Sequence, residues 1–358
     1  MITSDKNSKQ NAENLKSILR IFSQNSGDQA CLFNLIVYTS EDRRTAYFDE
    51  LVKMIRRQFP CRVIFITANL LVSDDQFQVQ ASSEKEEEGR RYLCDQIHIR
   101  ASGEGIEQAY FLLYPLFVPD LPIYLIWGED PTKEQTILPH LENFATRLIF
   151  DSETTEDLQQ FSRDMLNRIN STATQMVDMN WARMNGWREV LAQVFDSPER
   201  VDQLSNANSI DFFYNNKRSE LFNHPETQAI YLQAWLASRL KWDFLRGEKK
   251  NGSQIIYYKS HDRTRCVQLT AVSDEAFESE EILSVHVQGD HGYDCHAQRI
   301  SLEQVKIQAS NQFQCELPFI LVMPTLRSGR SFMQEIFYQK MSDQYKGMLD
   351  MISLTRWS

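Results

Sequence analysis

Residues 32–68 place the tightest constraint on the fold. Residues 32–39 (LFNLIVYT) form a nearly unbroken apolar run, which is how a strand covered on both faces reads. Residues 43–59 follow with helical spacing at Phe48, Leu51, Val52 and Ile55, and Pro60 ends that pattern. Residues 62–68 (RVIFITA) are a second buried strand. Strand, helix and strand in so short a span predict a βαβ unit, whose two strands must run parallel.

Further elements extend this unit. Residues 76–81 and 92–101 alternate as a hairpin would, and the charged stretch 82–91 (SSEKEEEGRR) reads as its solvated tip. Helices are expected over 104–116, 132–143 and 155–169, with strands over 121–127 and 146–150. Beyond Ser171 the texture changes. Helices are expected over 173–184, 187–195 and 226–245. Strands follow over 254–259, 265–272 and 283–288, the last pairing with 293–300. Residues 317–324 read as another strand, and 332–349 as a closing helix. The fold class is therefore α/β: an N-terminal α/β sandwich with a mixed sheet, then an α+β domain with antiparallel strands. The expected parts are a polar segment 1–27, a first domain 28–171 and a second domain 172–358. A chain of 358 residues suits two such cores.

A net charge of −11 argues against nucleic acid or an anionic membrane surface as partner, since both need a positive footprint. The membrane-like stretch 109–127 carries Asp120 and three prolines (Pro115, Pro119, Pro122), which would leave backbone groups unsatisfied in lipid. Residues 1–27 are polar, with a short helical spacing at Leu15, Ile18, Leu19 and Phe22. They lack the apolar core of a signal peptide, and the expected location is cytoplasmic. Six scattered cysteines contain no Cys-x-x-Cys pair, and no disulfide framework is expected.

No glycine-rich dinucleotide turn or phosphate loop follows either early strand, and no cofactor is expected. The densest group of ligand-type residues is His286, His291, Cys295 and His296. A turn at Asp290-His291 sets His286 opposite Cys295 and sends His296 to the other face, so two donors meet rather than three. No metal site is expected. Arg327, Gly329 and Arg330 precede a helix and form a candidate anion-binding loop, which supports an alternative reading as a phosphosugar-binding enzyme or sensor. No nucleophile elbow or zinc-protease helix appears, and no catalytic residue is assigned.

Residues 178–192 (DMNWARMNGWREVLA) pack two tryptophans and two arginines into one short span. Trp and Arg are the residues most enriched at binding hot spots, and they also fill and cap packed seams. Asp178, Trp181, Arg183, Trp187 and Arg188 are thus candidates for partner binding or for bracing an interface, with Asn185 as N-cap of the second helix.

This segment resembles the signature of the glucose-6-phosphate dehydrogenase assembly protein family, OpcA. The family pattern is Asp-x-x-Trp-x-Arg, a break, then Trp-Arg and an apolar helix; many relatives carry Thr-Pro where Asn185-Gly186 stands here. Other blocks agree in order: Pro60-Cys61-Arg62-Val63-Ile64, residues 116–127 (LFVPDLPIYLIW), Arg147 to Ser152, and Leu232 through Trp235-Leu236-Ala237 to Leu240. The resemblance implies a non-catalytic factor that binds glucose-6-phosphate dehydrogenase, promotes its active oligomer and raises NADPH production in the oxidative pentose phosphate pathway.

Overall fold

The computed structural model describes residues 31–40, 44–72, 74–83, 95–133, 136–219, 224–250, 252–323, 330–338 and 340–355. The readings made for 1–27, for the hairpin tip beyond Ser83, and for Arg327 and Gly329 lie outside the described residues. The chain divides into two compact units. The first runs to Thr154 and takes in Thr174–Met176; the second holds Thr155–Ala173 and everything from Val177 on.

The first unit is built on the expected βαβ. β1 (Phe33–Ser40) and β2 (Cys61–Asn69) are parallel, joined by α1 (Arg44–Gln58), with Phe33 opposite Cys61. Leu35, Ile36 and Val37 are completely buried, as a two-faced strand requires. β3 (Gln76–Ser83) and β4 (Asp95–Ser102) pair antiparallel, and β4 lies parallel on β2. α2 (Gly105–Phe111) leads to β5 (Ile123–Trp127), parallel to β1; α3 (Leu138–Glu142) leads to β6 (Arg147–Phe150), parallel to β5. With β7 (Gln175–Asp178) the sheet order is β3-β4-β2-β1-β5-β6-β7. The expected helix over 132–143 shrinks to α3.

The second unit starts with α4 (Leu158–Ser171), capped by Asp157, whose side chain accepts from the N–H groups of Gln159 and Gln160. Sequence reading placed this helix with the first domain, but it packs against the last helix, and its Gln159 Nε2 donates to the carbonyls of Ser353 and Thr355. The helix expected over 173–184 is instead β7 followed by α5 (Met179–Arg183). Here tertiary pairing overrides a weak helical stripe. α6 (Asn185–Val194) and α7 (Pro198–Ser205) follow.

A sheet of eight strands completes the second unit, in the order β15-β14-β13-β12-β8-β11-β10-β9. Its members are β8 (Ser209–Asn215), β9 (Asp243–Lys250), β10 (Ser253–Ser260), β11 (Arg263–Val272), β12 (Ile282–Gln288), β13 (Asp294–Ser301), β14 (Gln304–Ser310) and β15 (Phe319–Val322). The pairs are antiparallel except β8 with β11, which is parallel, so this sheet is mixed too. α8 (Thr227–Arg239) separates β8 from β9 and ends earlier than its apolar stripe suggests. Lys241 takes a left-handed φ of 56°, while the N–H of Trp242 reaches back to the carbonyl of Ala237 and that of Lys241 to Ser238. That is the Schellman pattern, with lysine where glycine is usual. The closing helix is split into α9 (Arg330–Phe337) and α10 (Asp343–Leu354), the latter capped by Ser342 accepting from the N–H of Tyr345.

Candidate functional site

The Trp-Arg segment enters the second unit at the end of β7 and is buried there. Asp178 has no exposed surface. Its backbone is still extended (φ −115°, ψ 131°) and its side chain caps α5 by accepting from the N–H of Asn180 at 2.8 Å. Its other oxygen accepts from the Tyr231 hydroxyl of α8 at 2.7 Å. Tyr345 of α10 shares the same carboxylate. Burial, reinforced by the Asp178 charge and that hydrogen bond, holds the Tyr345 hydroxyl well above its usual range. One carboxylate thus ties together α5, α8 and α10.

The other four residues extend this brace. The Trp181 ring lies 5.4 Å from the ring of Tyr345, and the guanidinium of Arg188 sits 3.7 Å above the Trp181 ring. Arg188 also donates to the Trp181 carbonyl at 3.3 Å and to Asn185 Oδ1 at 3.1 Å. Arg183 donates to Asn180 Oδ1 at 2.7 Å and lies 3.9 Å from Glu280 Oε1, both charged side chains being almost fully buried. Trp187 is 3% exposed, and its indole N–H donates to the Ile282 carbonyl at the start of β12. The structure therefore brings all five candidates into one network, with Trp181 and Trp187 inside it rather than on the surface. Asn185 is not the N-cap: it lies within α6, where Met184 precedes it, and bonds to Glu189.

Sequence reasoning missed the partners Tyr231, Tyr345, Glu280 and Ile282. Only Tyr231 had a local signal, standing beside Leu232 in the Trp-Leu-Ala helix.

The β12–β13 hairpin differs from its expected register. His286 faces His296, with ring centres 5.4 Å apart, and Cys295 faces Val287 and is buried. The cause is a tip one residue longer than a two-residue turn at Asp290-His291 allows. His291 and Gly292 both take positive φ, and a one-residue slip exchanges the faces. His286 Nε2 meets Asp294 Oδ2 at 2.7 Å. Among the described residues no group of three His, Cys, Asp or Glu side chains converges as metal ligands would. Of the candidate anion loop, only the backbone of Arg330, at the start of α9, is described.

In the first unit, the carboxyl ends of β1, β5 and β6 are where open α/β sheets receive ligands. Here they hold a buried cluster. Tyr38 stacks on Trp127 at 4.3 Å, Arg44 of α1 pairs with the wholly buried Asp151, and Glu129 accepts from the N–H of Ser40. Gly128 permits this closeness, because a Cβ there would come within 2.6 Å of the Phe48 ring and 2.9 Å of the Tyr38 carbonyl. The family's Arg147-to-Ser152 block supplies Asp151 to this cluster, while its Pro60-to-Ile64 block lies at the amino end of the sheet, where Arg62 binds Asp95 at 2.7 Å. No helix among the described residues is long and apolar enough to cross a membrane.

The architecture places the chain in a structural class shared with oxidoreductases. It is similar to the 3-ketoreductase KijD10 of Actinomadura kijaniata, with a TM-score of 0.52 at 10% identity over 91% of this chain and 98% of that one. An oxidoreductase of Sinorhizobium meliloti gives 0.51 at 8% identity, over 90% and 96%. At such identities the likeness shows the fold alone. Sequence comparison is more specific. The family model for the glucose-6-phosphate dehydrogenase subunit N-terminal domain matches residues 52–167, and that for its C-terminal domain residues 174–321. The chain belongs to the OpcA family of glucose-6-phosphate dehydrogenase assembly proteins. Curated relatives named as the OxPP cycle protein OpcA are 29% identical in Synechocystis sp., over 51% of this chain, and 28% identical in Synechococcus elongatus, over 65%. The matches span 38% and 52% of those relatives' own lengths.

Proposed function

We propose that the chain is a non-catalytic, cytoplasmic factor that binds glucose-6-phosphate dehydrogenase, promotes its active oligomer and so raises NADPH production in the oxidative pentose phosphate pathway. The observation that carries this reading is the family match across both halves of the chain, residues 52–167 and 174–321. The buried ion pair at the carboxyl ends of β1 and β6 agrees with it, since Arg44 and Asp151 are committed to each other. A binder activates only through a higher affinity for the active form, so its docking surface must be held rigid. Asp178, Trp181, Arg183, Trp187 and Arg188 act in this reading as the brace of that surface.

NADPH formation by the same organism's glucose-6-phosphate dehydrogenase, titrated with this protein, tests the reading. Saturable activation is expected, with no turnover by this protein alone. An unchanged rate, cofactor affinity and oligomer size would reject it. The double variant Trp187→Ala/Arg188→Ala should activate less; undiminished activation by that variant, shown to be folded, would remove the brace from the mechanism.

A further inference from the structure

The two edges of the eight-stranded sheet are finished differently. β9 carries Asp243, Arg246, Glu248, Lys249 and Lys250, and charges on an edge strand deter pairing. β15, Phe319-Ile320-Leu321-Val322, carries none. Ile320 is 54% and Val322 70% exposed, and Leu317 just before them 89%. An apolar, exposed edge strand is a template for the addition of another strand.

The register shows which backbone groups are offered. β14 and β15 pair Val305 with Leu321 and Ile307 with Phe319, and the N–H of Met323 donates to the Glu303 carbonyl at 2.8 Å on the same register. Hydrogen-bonded and non-hydrogen-bonded pairs alternate in an antiparallel ladder. Phe319, Leu321 and Met323 therefore turn their backbone groups to β14, while Ile320 and Val322 turn theirs outward. Among the described residues nothing pairs with them there.

We propose that β15 is a self-association edge, to which a second copy of this chain adds its own β15 antiparallel about a two-fold axis. Outward-facing residues must meet outward-facing residues. With Leu321 on the axis, Ile320 of one copy meets Val322 of the other, and each such pair exchanges both backbone hydrogen bonds. Phe319 then lies beside Met323 of the second copy, so every side-chain pair in the seam is apolar.

Charge selects a second copy as the occupant. A two-fold interface sets one strip of surface against the same strip of the second copy. For a chain of net charge −11, an uncharged strip meets its twin without local repulsion. An unrelated protein would gain specificity from complementary charge, and β15 offers none. This inference is independent of the dehydrogenase reading and goes beyond it.

Sedimentation velocity of the full chain, over about 1 to 200 μM, tests it. The chain should pass from monomer to dimer, and added salt should tighten the dimer by screening two like-charged bodies. Ile320→Lys places a charge in the seam. Val322→Pro removes an N–H that β14 does not use. Each should weaken dimerisation at least about tenfold, equal to about 1.4 kcal/mol, with the circular-dichroism spectrum retained. Should the proline variant fail to fold, Ile320→Lys decides alone. A single 41.9 kDa species at all concentrations, or folded Ile320→Lys dimerising like the parent, would overturn the proposal.

Discussion

Two segments of the second unit, the Trp-Arg segment and the β12–β13 hairpin, are equally rich in chemistry-bearing residues and behave in opposite ways. The hairpin gathers His286, Asp294 and His296 on an accessible sheet face, where they contact mainly one another. The Trp-Arg segment buries Asp178, Trp181 and Trp187 and ties three helices and a strand together. Local density of reactive side chains does not mark the consequential site. What separates the two is how many distant elements depend on each group.

That contrast can be broken by substitution, and the effects should fall in order. Asp178→Ala removes the α5 cap and leaves the hydroxyls of Tyr231 and Tyr345 buried without their acceptor. A loss of about 3 kcal/mol or more is expected in urea unfolding. Trp187→Phe keeps most of the packing but orphans the Ile282 carbonyl, for about 1–2 kcal/mol by the same measurement. Arg188→Met lifts the cation from the Trp181 face and should cost about 1 kcal/mol. His296→Gln in the hairpin should shift stability at pH 7.5 by no more than about 0.5 kcal/mol. If that change matched Asp178→Ala, the comparison would fail.

Acidity sharpens the same contrast. Burial, and then the neighbouring His286, lower the pKa of His296 from the usual histidine value. The folded chain therefore binds this proton less readily than the unfolded one. Stability from this group is intact above the ordinary histidine pKa and is lost as pH falls through the lowered one. Thermal melts between pH 7.5 and 5 should show a smaller acid loss in His296→Gln than in the parent.

The first unit was largely legible because β1 and β2 are apolar on both faces and a proline marks the end of α1. β8 escaped detection although it lies between β11 and β12. Ile210, Phe212 and Tyr214 alternate inward, but Phe213 on the opposite face blurs the two-residue period, and the strand is only seven residues long. The brace was legible as a segment and not as a network. Tyr231 stands 53 positions from Asp178 in the chain, and Tyr345 lies farther still, so even the family block beside Tyr231 marks its helix and not its contact with Asp178. The hairpin failed on a single residue of loop length, which sequence spacing alone does not fix.

The placement of α4 has a practical consequence for dividing the chain. Its residues fall between β6 and β7, both strands of the first sheet, yet its side chains complete the second unit against α10. The natural-looking cut between the two family matches, near residue 172, would strand this helix on the wrong fragment. A carboxy-terminal piece begun there would expose the face of α10 that α4 covers and would be prone to aggregate. A piece begun at Thr155 would carry its own lid.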